Sequence, residues 1–276
     1  SWRKDIYAPY KRNRVDIAGK ATPAQIEEEQ QFRDAFDDLC QYFYDKTACS
    51  VLRSPIAEAD DIIALWIRMH PDDEHIIISS DTDYYQLLTQ KVTQFNGITN
   101  EHITLNGIFN DKGKPVIDKK TKQHKQVGEP EWLLFEKCIR GDSSDNIFSA
   151  YPGVRKLGTK KKVGMKEAFD DRNKKGYAWN NFMLERWTDH NNVEHRVLDD
   201  YQRNKLLIDL TAQPTEVLSI VIEDVMKQLN KTPITQAGIY FLKFCGKYDL
   251  VKLSEQSSTF AAWLQRKYEG NIHVNS

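Results

Sequence analysis

Apolar residues recur along the chain with two different periods, and the alternation between them outlines a fold. In residues 22–46, Ile26, Phe32, Phe36, Leu39 and Phe43 supply one apolar face. A helical start signal precedes them: Thr22 as N-cap, Pro23 at the first helical position and acidic residues in the first turn. "CSVLRS" (49–54) is short enough for a strand. "PIAEADDIIALWIRMH" (55–70) predicts a second helix, with Pro55 at or just before its start and Ile62, Ile63, Leu65, Trp66 and Met69 buried. The continuous run Ile76–Ser80 predicts a strand buried on both faces, followed by a helix from about Tyr84. Helix, buried strand and helix together predict a parallel α/β sheet.

Further on, "ITLNGIFNDKGKPVIDKK" alternates around a turn at "NDKG", which predicts a hairpin near 103–127. "EPEWLLFEKCIRG" (129–141) has helical spacing, and the chain beyond Gly141 is mostly helical in pattern. "KLLIDL" (205–210) returns as a strand or extended segment in this reading, and residues 214–276 form helices.

Composition narrows the class. With 276 residues, 40% apolar and 29% charged, the chain suffices for one large domain or two modest ones, and is not of a disordered type. No apolar run approaches the ~20 residues of a membrane helix. Cys40, Cys49, Cys138 and Cys245 are scattered without a CxxC pair, so a reducing, cytoplasmic compartment and no zinc site are expected. The net charge of -1 conceals segregation: Glu27, Glu28, Glu29, Asp34, Asp37 and Asp38 crowd one segment, while lysines crowd Lys112–Lys125 and Arg155–Lys166. Basic patches on a near-neutral chain suit local phosphate binding, although any single charge run also suits a solvated face.

Three acidic clusters stand out: Glu58, Asp60 and Asp61 in "AEADD", Asp81 and Asp83 in "SSDTD", and Asp142 and Asp145 in "GDSSDN". Singly, each has an ordinary explanation in a helix N-terminus, a cap or an Asx turn. Together they suggest more. Asp81 and Asp83 follow a strand, at the sheet edge where α/β proteins bind ligands. Glu58 and Asp61 share a helix face at i, i+3, and Asp142 and Asp145 repeat that spacing. The seven carboxylates could not all ionise at one edge without cations. Hard oxygen donors without His or Cys argue for Mg²⁺ or Mn²⁺. Two such ions ~4 Å apart would activate water and stabilise the leaving oxygen of a phosphodiester.

These segments, in the order "SWRKDIYAPYKRNR", "AEADDIIALW", "ISSDTDYYQLL" and "IRGDSSDNI...YPGVRKLGTKK", resemble the 5′-nuclease superfamily. That family comprises flap endonucleases and 5′→3′ exonucleases, including phage RNase H proteins and the N-terminal nuclease domain of bacterial DNA polymerase I. The phage branch is the most similar, and the resemblance is strong over residues 1 to about 166. It implies an α/β, PIN-like core with a parallel sheet, a helical arch at 1–45, a helix–hairpin–helix and a helical C-terminal part. The domains would divide at 1–137 and 138–276. It assigns Glu58, Asp60, Asp61 and Asp81 to a first metal site and Asp83, Asp142 and Asp145 to a second. Lys11 and Arg14 match basic residues that contact the scissile phosphate and neutralise transition-state charge. Arg3, Tyr7 and Tyr10 fall in the same segment, where tyrosines either stack on unpaired bases or fill core.

Pro152–Lys162 matches the family's helix–hairpin–helix. Gly153 and Gly158 would let backbone N–H groups approach a phosphate, with Thr159, Lys160 and Lys161 beside them at the start of a helix, and a K⁺ ion in the turn. Lys156 stands where the family has a glycine, and Lys162 where it has a small residue. The family also carries two metal-binding aspartates upstream of the segment matching Ser1, so a preceding N-terminal part of the domain is expected.

The expected activity is a metal-dependent, structure-specific 5′ nuclease, acting as flap endonuclease, 5′→3′ exonuclease or RNase H-type remover of RNA primers in DNA replication. Its partners would be DNA with a 5′ flap, an RNA/DNA hybrid and replication proteins, with no membrane and the chain a monomer. Two other readings stay open: a branched-DNA binding module whose cutting needs the upstream segment, and a PIN-like RNA nuclease.

Overall fold

The computed structural model describes residues 1–274. From the N-terminus, helices α1 (Arg3–Ile6) and α2 (Arg12–Ala18) precede the long α3 (Pro23–Lys46) and α4 (Ala59–Met69). Strand β1 (His75–Ile78) leads into a 3₁₀ helix (Thr82–Leu87), then β2 (Val92–Asn96), β3 (Glu101–Thr104) and β4 (Gly107–Asn110). Helices α5 (Pro130–Arg140), α6 (Met165–Asp170) and α7 (Tyr177–Met183) follow, then the hairpin β5 (Arg186–Thr188) and β6 (Glu194–Arg196). The chain closes with α8 (Val197–Ile208), α9 (Thr215–Leu229), α10 (Ala237–Lys247), α11 (Val251–Ser254) and α12 (Ser257–Gln265). No described helix is long and apolar enough to cross a membrane.

The chain divides into two compact units: Ser1–Val15 with Asp73–Gln213, and Asp16–Asp72 with Pro214 onward. The first unit holds a four-stranded mixed sheet in the order β1-β2-β3-β4. The β1–β2 pair is parallel, and the other two pairs are antiparallel. Its main core lies between helices: Trp132, Phe135 and Ile139 of α5 pack on Met165, Ala168 and Phe169 of α6, Phe182 and Met183 of α7, and Val197 of α8. A smaller cluster of Leu88, Ile103 and Ile108 backs the sheet. In the second unit, Tyr42 of α3 packs on Phe241 and Cys245 of α10.

The Thr22 and Pro23 start signals of α3 act as expected, but its first turn holds no acidic residue, because Glu27 comes one position beyond it. The Thr22 hydroxyl accepts the Gln25 N–H, and Gln25 answers at the Thr22 N–H, so α3 starts at Pro23. Helix α4 starts at Ala59, later than Pro55, because Glu58 and Asp61 form its reciprocal cap. The larger departures are tertiary. Strand β1 is at the edge of the described sheet and one of its faces is uncovered: Ile77 is buried while Ile76 and Ile78 are 65% and 78% exposed. Its burial therefore has a period of two, where three successive isoleucines predict burial on both faces. "CSVLRS" is coil. "KLLIDL" is the last turn of α8 and its exit, since Leu207 and Ile208 fill the face toward Tyr10 and Cys138.

Candidate active site

The site grows from three loops of the first unit. The β1 exit is shaped by Asp81, whose Oδ1 accepts the Asp83 N–H at 2.9 Å and caps the 3₁₀ helix. Beneath it, buried Gln94 of β2 donates its amide to the Ser79 and Asp81 carbonyls, at 2.7 and 2.9 Å, and holds the loop from below. The second loop follows α5. Gly141 ends the helix at φ +77°, and a Cβ there would meet the Ile147 carbonyl at 2.4 Å, so the tight turn requires glycine. Asp142 and Ile147 then close the loop through reciprocal backbone bonds of 2.8 and 2.7 Å. Asn204 of α8, fully buried, donates to the carbonyls of Cys138 and Phe148, at 2.9 and 2.8 Å, and so clamps both flanks of this turn.

Lys137, on the last turn of α5, joins these two loops. Its Nζ donates to Asp83 Oδ1 and, at 2.7 Å, bonds Asp142 Oδ2. Burial pushes the Asp83 carboxyl above its ordinary range, more than Lys137 lowers it. Burial also opposes the charge on Lys137, but the two carboxylates outweigh it and raise the ammonium pKa. Asp142 is held below its usual range: burial works against this, but Lys137 and the Ser144 hydroxyl and N–H prevail. Nothing in the sequence pattern singled out Lys137. The only local signal is its position one helical turn before the acidic loop.

The third loop is the N-terminal segment, which zips onto the acidic turn. Asn13 donates to the Ser143 and Ser144 carbonyls, and Asn146 donates to that of Pro9 at 2.7 Å. Asp145 is the focus. It accepts Arg14 Nη2 at 2.6 Å and the Tyr10 hydroxyl at 3.2 Å, and lies 3.6 Å from Lys11 Nζ. The Lys11 N–H also donates to the Asp145 carbonyl at 2.8 Å, which fixes Lys11 at φ +53°. A lysine held in the left-handed region is backbone strain of the sort that functional sites retain.

The other expected residues are distributed differently. Tyr10 is 2% exposed and packs with Cys138, Ile147, Leu207 and Ile208, so it fills core. Arg3 is also buried, with Nε donating to the Leu207 carbonyl at 2.8 Å. Tyr7 is half-buried under the Arg203 guanidinium. Glu58, Asp60 and Asp61 belong to the second unit, where Asp61 is buried and accepts the Glu58 N–H at 3.0 Å.

In the 152–164 segment, Gly153 is exposed at φ +72°, with open space around it. Gly158 packs close to Gly164, and the Glu167 carboxylate accepts both of their N–H groups at 3.0 Å. Those bonds hold Glu167 below the usual carboxylate range. Thr159, Lys160 and Lys161 are exposed on a bend, and the helix begins later, at Met165. Lys156, in place of a glycine, lays its ammonium over the Trp132 ring.

Residues 1–114 match the family model of the 5′-3′ exonuclease N-terminal, resolvase-like domain. The flap endonuclease of Escherichia phage T5 is 29% identical over 166 residues, covering 58% of this chain and 49% of that protein. DNA polymerase I of Rhizobium leguminosarum is 26% identical over 221 residues, covering 79% of this chain and 18% of the polymerase. The matched stretches span about half the length of the first relative and under a fifth of the second. A solved T5 protein co-crystallised with metal ions superposes with TM-score 0.55 at 21% identity, over 83% of this chain and 81% of that one. The bacteriophage T5 flap endonuclease in a pseudo-enzyme-product complex with DNA and metal ions gives 0.53 at 21%, over 83% and 79%. The fold is thus the mixed α/β fold of these T5 structures. In sequence the chain is similar to 5′-nuclease proteins, over residues 1–114 for the family model and over 166 residues for the phage T5 enzyme.

Proposed function

We propose that the chain is the catalytic portion of a divalent-metal-dependent 5′ nuclease that cleaves phosphodiesters in 5′-flapped DNA and RNA-primed duplexes. The observation that carries this reading is a pair of groups joined by one acidic turn: Asp83–Lys137–Asp142, and Asp145 with Lys11 and Arg14, the latter bonded across 131 positions of sequence. Two carboxylates already share one positive charge at Lys137, and every acidic donor is a hard oxygen. Among the described residues no three His, Cys, Asp or Glu side chains group closely enough to hold a metal ion. The pair Asp83 and Asp142 would suit Mg²⁺ or Mn²⁺, which keep several waters beside one or two carboxylates.

Asp83 and Asp142 would hold the ion, with Asp81 and Asp145 flanking it. When bound, the ion supplies an acidified water and positive charge for the leaving oxygen. Lys11 and Arg14 would bind the non-bridging oxygens of the reacting phosphate and neutralise the charge that grows there. Their pairing with Asp145 holds both cations in place before substrate arrives. The exposed Thr159, Lys160 and Lys161 would contact the duplex backbone further along, a salt-sensitive and sequence-independent contribution.

The test is cleavage of a 5′-labelled flap duplex by the chain, alone and joined to the upstream segment that the family carries, in Mg²⁺, Mn²⁺ or EDTA. A product that needs the metal and disappears in Asp83→Asn is expected. If neither form cuts flapped, nicked or RNA-primed duplex while both bind it, the molecule is a branched-DNA binding module.

A further inference from the structure

Beside the acidic turn, a cavity of about 650 Å³ opens between the N-terminal segment and the β5–β6 hairpin, all within the first unit. Tyr7, Phe148, Pro152 and Trp187 form its mainly apolar walls, while His195 and Asp189 supply polar groups. Its size and lining, apolar with a few convergent polar atoms, are those of ligand pockets. The walls are rigid. Trp187 stacks on His195, with ring centroids 4.3 Å apart and planes 11° from parallel. The indole N–H of Trp187 donates to the Ala150 carbonyl at 2.9 Å. His195 Nδ1 bonds Asp200 Oδ2 at 3.0 Å.

Two features are unexplained by packing. Phe148 is 60% exposed although its backbone is clamped by Asn204, so a large aromatic side chain is held out at a fixed place. His195 Nε2 is buried without a hydrogen-bond partner, 3.7 Å from Asp189 Oδ2. A buried polar atom left in that condition is uncommon and calls for a partner. Asp189 is itself braced, its Oδ1 accepting the Asn191 and Val193 N–H groups at 2.9 and 2.8 Å.

The position decides what the cavity would hold. Tyr7 lies on the segment that carries Lys11 and Arg14, and Phe148 directly follows Ile147, which closes the acidic turn. The two segments that build the phosphate site therefore also build this cavity. A nucleobase held in it would belong to the strand whose phosphate Lys11 and Arg14 bind. We infer that the cavity is a pocket for one unpaired nucleobase of the substrate strand. The base would stack on Phe148 and present its hydrogen-bonding edge to His195 Nε2 and Asp189. Aromatic faces take every base, so stacking would hold the strand in register without reading its sequence. This inference rests on the proposed nuclease function.

The experiment uses the full chain in EDTA, so that binding is read without cleavage. Single-stranded oligonucleotides carry 2-aminopurine at successive positions from the 5′ end, and a matching series carries an abasic site instead. At one position the fluorescence is expected to be quenched on binding. Phe148→Ala should restore that emission and weaken binding about 5- to 150-fold, the span of a base–aromatic stack worth about 1–3 kcal/mol. The strand abasic at that position should bind the wild type and Phe148→Ala alike. Retained binding with unchanged emission at every position overturns the pocket and leaves the nuclease reading standing, as does an equal loss for abasic and intact strands. Failure to bind any strand at low salt overturns both.

Discussion

Asp142 and Asp145 lie on one turn, three residues apart, and are partnered from opposite directions. Asp142 is served locally, by Lys137 of the preceding helix and by Ser144. Asp145 is served from the other end of the unit's sequence, by Tyr10, Lys11 and Arg14. The first arrangement neutralises two half-buried carboxylates with one ammonium. The second spends one carboxylate to hold two cations at the surface. The turn thus has an acidic end suited to a metal ion and a basic end suited to a phosphate, with the same residue type at both.

The largest effect expected from breaking this comparison is at the basic end. Lys11→Ala should slow flap cleavage by about 10²–10³-fold, as loss of a charge-stabilising donor does elsewhere, with single-turnover kinetics as the readout. The fold should be unaffected, because Tyr10 and Arg14 still hold Asp145.

Next is the clamp shared by both ends. Asn204→Leu leaves the Cys138 and Phe148 carbonyls buried without a donor, and should cost about 2–3 kcal/mol in urea unfolding. An unchanged midpoint would show that Asn204 does not set the turn.

At the acidic end, Lys137→Met leaves Asp83 and Asp142 facing each other without their shared cation. A loss of about 2 kcal/mol is expected, discounted for partial exposure. Mg²⁺ should restore more of the melting temperature in this variant than in wild type, because the ion replaces the lost charge. Equal Mg²⁺ effects in both would remove the argument that Lys137 marks a cation site.

The smallest effect lies in the glycine segment. Glu167 sits below the usual carboxylate range because the Gly158 and Gly164 N–H groups bond its charged form. A group depressed on folding stabilises above its unfolded pKa, about 4.3, and that contribution fades as pH falls through the lower folded value. Glu167→Gln should therefore cost under about 1 kcal/mol at neutral pH, and the difference from wild type should shrink below about pH 4 in acid titration.

Much of this turn was legible beforehand. "GDSSDN" stands out as an acidic cluster, and Lys11 and Arg14 of "YKRNR" are singled out by the resemblance as phosphate contacts, with no link between the two segments. What was not legible was the partnering. Tyr10 had two open readings, stacking on bases or filling core, and burial against Leu207 and Ile208 decided for core. Arg3 has the charge of a phosphate ligand, yet it is buried on a backbone carbonyl of α8. Lys137 had only its place one helical turn before the acidic loop, and a lysine near a helix C-terminus is ordinary.

The sequence by itself determined the elements whose cause lies within one turn of chain. These are the start of α3 at the Thr22 cap, the span of α5 between Pro130 and Gly141, and the sharp turn that only glycine permits at 141. Only the tertiary structure decided that β1 lies at an edge with Ile76 and Ile78 exposed, and that "KLLIDL" completes a helix. It alone brought Lys11 to Asp145 and Phe148 to Tyr7. The reason is range. Helix caps and the glycine turn at 141 are settled by contacts over a few residues, whereas strand neighbours and ion pairs are chosen by which distant surfaces bury together, and hydrophobic burial carries no address in the local sequence.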